Sequence, residues 1–274
     1  MDRNFLASKR RVVVKVGTST LTHVNGRVNF QRIDRLARVL SDVANMGKDV
    51  VLVSSGAIGV GMGKLGIANR PASTAERQAI AAVGQCELMQ IYSKLFAEHG
   101  HAVGQILLTR DVVDSAHMRA NAVNTFETLI GMGIIPIVNE NDSVSTEELE
   151  NNINNGFGDN DTLSVIVAAL VGADLLVMLS DIQGFYSRNP RTDPDAEMMR
   201  HVGAITPQIE RAAGGVGSAR GTGGMATKIE AAKIALERGI DMVLASGEDP
   251  AVVYEILSGA DVGTLFAHGQ GAVK

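Results

Sequence analysis

Residues 11–19 read RVVVKVGTS, a β-branched apolar run interrupted by Lys15 and ended by Gly17 and two hydroxyl residues. A short apolar run that stops at turn formers is the pattern of a strand buried on both faces. The pattern repeats outward from this stretch. Ile33, Leu36, Ala37, Leu40, Val43 and Ala44 recur at helical spacing, and Gly47 is the stop. DVVLVS at 49–54 reads as a second strand. Ser73 and Glu76 form a capping box that opens a helix to about Glu98, with Gly100 beyond it. Further strands are predicted near 103–109, 134–139, 174–180 and 241–245, with a short one near 263–266. The intervening helices are predicted over about 117–131, 161–171, 226–238 and 250–257. Strands that alternate with helices imply parallel βαβ units and a sheet covered on both faces. The expected fold class is therefore α/β, a three-layer sandwich with a mainly parallel central sheet. No repeat or low-complexity tract divides residues 1–274, which are expected to form a single domain of two lobes meeting near residue 175.

Of the 274 residues, 45% are hydrophobic and 20% charged, enough to bury a large core. The formal charge of −5 argues against a general nucleic-acid surface, which needs a basic excess. Cys86 is the single cysteine, so no disulfide framework is possible and a reducing cytoplasm is the expected location. Residues Met1 to Arg11 are charged and carry no apolar segment of the signal-peptide kind. The longest apolar stretch, Leu163 to Leu179, contains Gly172 and Asp174 and reads as a buried helix turning into a buried strand, not a membrane span. No membrane partner and no nucleic-acid partner are expected.

In open parallel sheets, ligands bind beyond the carboxyl ends of the strands. The residues just after each strand therefore carry the functional reading. Lys15, in an apolar strand, needs an anionic partner if buried, or is an edge-strand lysine reaching solvent. Ser54-Ser55-Gly56-Ala57-Ile58-Gly59 is either a tight turn or a set of backbone N–H groups at a helix start, suited to an anion. Asn139-Glu140-Asn141-Asp142 and Gly158-Asp159-Asn160-Asp161 flank one polar loop and offer donors and acceptors for a zwitterion, although Asp161 alone reads as a helix cap. Ser180-Asp181 follows another strand. Gly221-Thr222-Gly223-Gly224-Met225-Ala226-Thr227-Lys228 opens a helix, and its glycines let backbone N–H groups wrap phosphate oxygens while Lys228 adds a point charge. This is the strongest local signal.

Other patterns fail. Gly47-Lys48 and Gly63-Lys64 lack the hydroxyl residue of a phosphate-binding P-loop, and Gly61, Gly63 and Gly66 match a dinucleotide fingerprint that does not directly follow a strand. The six histidines show no metal-ligand spacing.

Taken as an ordered set, six segments resemble the amino acid kinase family. They are VVKVGTS at 13–19, VSSGAIGVG at 53–61, VNENDSV at 138–144, GDND at 158–161, LSDIQGFYSRNPR at 179–191 and GTGGMATK at 221–228. SSGAI, NEND and GTGGMATK together are similar to the members that phosphorylate glutamate, as opposed to acetylglutamate, uridylate or carbamate. Many such members carry a C-terminal PUA domain, and on this resemblance the chain is expected to be a short form, by nature or by truncation, that stops at Lys274 where that domain would begin.

The resemblance implies ATP-dependent phosphorylation of the L-glutamate side-chain carboxylate, the first step of proline biosynthesis. It implies Lys15 and Lys228 as the cations of phosphoryl transfer and Asp161 as their orienting carboxylate. Glutamate is expected on Ser55, Gly56, Ala57, Asp142 and Asn160, in a lobe of about 1–173. ATP is expected on Lys15, Gly17, Ser180, Asp181 and Thr222 to Lys228, with the second lobe at about 174–274. Mg²⁺ is implied as an ion carried by the phosphates, with no direct protein ligand. Proline as feedback inhibitor acting at loop 140–160, a dimer or tetramer, and transient contact with glutamyl phosphate reductase complete what the family implies. A non-catalytic amino acid sensor and a nicotinamide-dependent oxidoreductase stand as rival readings. Lys15, Lys228 and Asp161 together speak against the sensor, which has no use for a phosphoryl-transfer pair.

Overall fold

A computed structural model describes residues 2–23, 26–69, 71–144, 160–214 and 224–268. A short 3-10 turn at Asn4–Ser8 leads into β1 (Arg11–Val16), followed by α1 (Thr18–Leu21), α2 (Phe30–Asn45), β2 (Asp49–Ser54) and α3 (Ala57–Leu65). Next come α4 (Thr74–Glu98), β3 (Val103–Leu108), α5 (Arg110–Asp114), α6 (Ala116–Gly131) and β4 (Ile135–Glu140). The later half holds α7 (Asn160–Leu170), β5 (Leu175–Ser180), β6 (His201–Val202), α8 (Pro207–Ala212), α9 (Met225–Glu237), β7 (Asp241–Ser246), α10 (Val252–Leu257) and β8 (Thr264–Phe266).

Local chemistry sets the helix starts. Asn29 caps α2 by accepting from the Arg32 N–H at 3.1 Å. Ser73 caps α4 by accepting from the Glu76 N–H at 3.2 Å, while its hydroxyl donates to the Glu76 carboxylate at 2.8 Å. The capping pair expected from sequence is therefore formed.

The strands make one eight-stranded sheet in the order β3-β4-β2-β1-β5-β7-β8-β6. β1 pairs in parallel with both β2 and β5, and only the β7–β8 pairing is antiparallel. The α/β class with a mainly parallel sheet is thus observed, and β8 with its parallel neighbour β6 forms a reversed edge. From β1 the chain moves to one side through β2, then returns to the other side through β5. That reversal opens a crevice at the carboxyl ends of β1 and β5, the place where such sheets bind ligands.

Strand periodicity sorts the core into two layers. Val12, Val14 and Val16 face α2, α4 and α10. Val13 faces the opposite layer, with Leu163, Val167, Ile229 and Ala232 of α7 and α9. Lys15 has the parity of Val13 and so projects toward α7 and α9. Ser54 of β2 and Asn139 of β4 share the parity of Leu52 and Ile137 and project toward α4.

The amino edge of the sheet is tied by charge. The Asp174 carboxylate accepts from the backbone N–H groups of Arg10 and Arg11, and the Arg11 guanidinium pairs with Asp49 and Glu127. α3 and α4 approach through glycine. A Cβ on Gly61 would lie 2.2 Å from the Ile80 carbonyl oxygen, and one on Gly84 would lie 1.7 Å from that of Ala57. The Gly61–Gly66 pattern therefore serves helix contact and a left-handed helix end at Gly66 (φ 68°), not a dinucleotide turn.

Boundaries fall within one or two residues of those expected. The single-turn helices α1, α5 and α8 and the two-residue strand β6 were not expected. They are too short to carry a periodicity.

Candidate active site

Lys15 does not reach solvent as an edge lysine would. It is the fifth residue of a six-residue strand flanked on both sides, and is 7% exposed. Its ammonium Nζ meets Asp161 Oδ1 at 2.5 Å. Asp161 sits in the first turn of α7, where the helix dipole favours a carboxylate, and is fully buried. Its second oxygen accepts from Lys228 Nζ at 3.0 Å. Lys228 lies one turn into α9 and is 7% exposed, with Cβ tilted toward the helix start. The Thr227 hydroxyl lies 2.9 Å from Asp161 Oδ2 and 2.8 Å from the Gly224 carbonyl oxygen, in reach of either.

Burial opposes ionisation of Asp161 most strongly, but Lys15 and Lys228 together outweigh it and hold the carboxyl below the usual carboxylate range. Asp161 therefore stands ionised between two ammonium groups and is more than a simple helix cap. Two ammonium groups thus converge on one carboxylate at the crevice floor, with the Asp142 and Asp181 carboxylates also on its wall. Paired ammonium groups at such a floor suit an anionic ligand, and the Asp142 carboxylate on the same wall suits a cationic group.

The crevice is a cavity of about 390 Å³. Lys15, Gly17, Ser55, Gly56, Ala57, Asp142, Asn160, Asp161, Ser180, Asp181 and Lys228 all line it. Residues of β1, α3, α7, β5 and α9 and of the turns that follow β2 and β4, up to 213 positions apart in sequence, thus converge on one space. Gly56 caps α3 with φ 99°, a left-handed conformation that glycine adopts without strain, and so turns the chain from Ser55 into the helix. A Cβ on Gly17 would sit 3.7 Å from Lys15 Nζ, so this bare backbone lies directly over the ammonium. On the side away from α9, Ser55 donates to the Val16 carbonyl oxygen at 3.2 Å, and Asp142 and Asn160 are each 7% exposed. Asn160 Oδ1 is buried with no hydrogen-bond partner among the described residues, an acceptor suited to an ammonium or amide group.

A second cavity of about 390 Å³ adjoins the first, and Asp181 and Lys228 line both. Its walls include Phe185, Tyr186, Pro190, Arg191, Gly224 and Met225. Apolar and aromatic surface beside two arginines and a lysine, counting Arg188, suits a ring system joined to an anionic chain. Ala226 lines neither cavity, and Thr227 reaches the site through Asp161. Thr222 and Gly223, with Gly221, fall outside the described residues, as does most of the polar loop at 145–159. Thr18, Ser19, Ile58, Gly59, Met62 and Leu179 also line the first cavity and were not singled out from sequence, although all but Met62 lie in quoted motifs. Among the described residues, no group of three or more His, Cys, Asp or Glu side chains converges as a metal site, and no helix is long and apolar enough to cross a membrane.

The family model described as "Amino acid kinase family" matches residues 10–246. A protein named glutamate 5-kinase from Clostridium perfringens is 58% identical over 269 residues, covering 98% of this chain and 99% of that protein. Proteins of the same name from Listeria innocua and Enterococcus faecalis are 57% and 51% identical, covering 97% of this chain and 95% and 98% of theirs. Among solved structures, UMP kinase from Bacillus anthracis aligns with TM-score 0.63 at 17% identity, covering 94% of this chain and 96% of that one. Isopentenyl phosphate kinase from T. acidophilum aligns with TM-score 0.61 at 16% identity, covering 93% and 99%, and both likenesses are of fold alone. The chain belongs to the amino acid kinase family, grouped within it with the glutamate 5-kinases.

Proposed function

We propose that this chain transfers the γ-phosphoryl group of ATP to the side-chain carboxylate of L-glutamate, giving L-glutamyl 5-phosphate and ADP at the start of proline biosynthesis. The observation that carries the reading is the buried Lys15–Asp161–Lys228 arrangement at the junction of the two cavities.

The reaction brings a carboxylate against a polyanion. At an effective dielectric near 20, one pair of like unit charges about 4 Å apart repels by roughly 4 kcal/mol. Fixed positive charge and in-line placement are what the protein must supply. Lys15 holds the transferred group, and Lys228 holds the leaving side of the phosphate chain. Asp161 orients both and takes no proton. A glutamate side chain is ionised at neutral pH, so its oxygen attacks phosphorus without a general base while the bond to the β-phosphate oxygen breaks. The backbone N–H groups of Gly17 and Gly56 cradle the phosphoryl oxygens.

Glutamate lies against Ser55, Gly56, Ala57, Asp142 and Asn160, with Asp142 accepting from its ammonium. Ser55, its hydroxyl turned from the Val16 carbonyl oxygen to the ligand, and Asn160, through its side-chain N–H, donate to its carboxylate, while Asn160 Oδ1 accepts from the ammonium. ATP lies against Ser180, Asp181, Gly224, Met225 and Lys228, with its base toward the second cavity. On this reading the lobe of about 1–173 serves glutamate and that of about 174–274 serves ATP. Both Asp161 oxygens are taken by ammonium and hydroxyl groups, so Mg²⁺ would come with the nucleotide and not on Asp161, and would neutralise part of the phosphate charge. Feedback inhibition by proline, a homodimer or homotetramer, a cytoplasmic location and transfer of the reactive acyl phosphate to glutamyl phosphate reductase belong to the same reading.

Asp142→Ala tests the substrate side. Loss of one charged hydrogen bond is worth about 1.5–3 kcal/mol, so the KM for glutamate is expected to rise about 10-fold to 100-fold, with that for ATP nearly unchanged. A rise confined to ATP would reverse the two ends of the site.

A further inference from the structure

Gln85 and Tyr92 stand about two turns apart on α4, so both leave the same face of that helix. Neither was singled out from sequence, and neither lines the catalytic cavity. Tyr92 is fully buried, and its hydroxyl lies 2.9 Å from Ser54 Oγ. Gln85 Oε1 accepts from Asn139 Nδ2 at 2.9 Å. Ser54 and Asn139 are each 2% exposed. They also lie at the carboxyl ends of neighbouring strands, Ser54 last in β2 and Asn139 next to last in β4. β2 runs beside β4 with Leu52 opposite Ile137 and Val53 opposite Val138, so Ser54 and Asn139 are next in register.

A polar layer therefore closes the α4 side of the sheet just below the carboxyl edge. The same parity lower in these strands is filled by Leu52 and Ile137, and the helix face above Tyr92 by Phe96, all apolar. Polar groups in this position cost stability unless hydrogen-bonded, and an apolar set of like volume would serve the core as well. What the polar layer adds is direction, because hydrogen bonds fix side-chain and backbone placement more tightly than apolar contact does. Each bond ends one short step from the acceptor half of the crevice. Ser54 is followed by Ser55 and Gly56, and Asn139 is three residues before Asp142. Between them Gly84 of α4 brings its backbone against Ala57. The second cavity, on the nucleotide side, is built instead from residues 181–191, the end of α8 and the start of α9.

We propose that Tyr92 and Gln85 are positioning residues for the acceptor carboxylate, Tyr92 acting through Ser54 on the Ser55–Ala57 turn and Gln85 acting through Asn139 on Asp142. The inference rests on the reading that glutamate lies against Ser55 and Asp142.

The test is the KM for glutamate and the KM for ATP, measured separately in Tyr92→Phe, Gln85→Met, Ser54→Ala and the Ser54→Ala/Tyr92→Phe double variant, with Asp142→Ala in parallel. Tyr92→Phe and Gln85→Met are each expected to raise the glutamate KM about 5-fold to 30-fold, the scale of leaving one buried polar group unsatisfied. The ATP KM should move less than twofold. Because Tyr92 acts through Ser54, the double variant should show no larger rise than the worse single variant. Equal rises for both substrates, or losses that multiply in the double variant, would assign these residues to the core alone and overturn the proposal. Should Tyr92→Phe fail to fold, Gln85→Met decides by the same split. An Asp142→Ala effect on glutamate with silent Tyr92→Phe and Gln85→Met sinks the positioning role only, whereas a silent Asp142→Ala sinks the acceptor assignment and this inference with it.

Discussion

Lys228→Met is expected to lower kcat about 100-fold to 1,000-fold, the usual scale for removing one fixed charge that acts on the transition state. Methionine keeps most of the side-chain length and none of the charge, and Lys228 is 7% exposed, so the change is felt as lost charge more than as lost volume. Lys15 and Asp161 remain and still form a neutral pair. The folded state should therefore survive, and the loss should appear in turnover more than in either KM. Circular dichroism and steady-state kinetics on the same preparation check both halves. Near-normal turnover would remove Lys228 from the mechanism.

Asp161→Asn is expected to act on the fold as well as on the chemistry. It leaves two buried ammonium groups facing each other without the carboxylate between them. Breaking a buried ion pair by removing one partner costs about 3–5 kcal/mol, which for a chain of this size is a drop in Tm on the order of 10 °C. The pH dependence carries a sign. The folded Asp161 carboxyl is held below its ordinary range, so its contribution is present above the unfolded carboxylate value of about 4 and is lost as pH falls through the lower folded value. Denaturant unfolding should show wild type and variant separated at neutral pH and converging in acid. A gap that stays constant with pH would mean that the carboxylate charge is not what holds the lysines.

Much of this arrangement was legible in the sequence because its signals are local. The apolar runs at 11–16, 49–54, 134–139 and 174–180 gave the central strands, and the polar or glycine-rich residues after them marked the carboxyl edge. Lys15 stood out because a lysine inside an apolar strand is costly without a partner. Its partner was not deducible from spacing. Asp161 lies 146 residues away, and only the parity of β1 and the placement of α7 bring the two together. Thr18, Ser19 and Gly59 sat inside quoted motifs, yet their place on the cavity wall depends on a turn that sequence does not draw. The second cavity combines 181–191 with the end of α8 and the start of α9, elements whose proximity is purely tertiary. Gln85 and Tyr92 gave no signal, since one polar residue and one aromatic in a long helix read as ordinary surface and ordinary core. The reversed β8 edge was equally hidden, as a three-residue strand states its burial and not its direction.

The central claim is that the paired ammonium groups of Lys15 and Lys228 serve phosphoryl transfer to the side-chain carboxylate of a free amino acid. The most direct measurement is an ATP- and Mg²⁺-dependent hydroxamate assay, in which hydroxylamine traps any acyl phosphate, run with L-glutamate, N-acetylglutamate and L-aspartate side by side. The account predicts hydroxamate from glutamate alone, because an acetylated nitrogen offers no charge for Asp142 and aspartate is one methylene short of the phosphoryl group. Product from N-acetylglutamate or aspartate in place of glutamate would overturn the acceptor assignment, and no product from any of the three acids would contradict the claim itself.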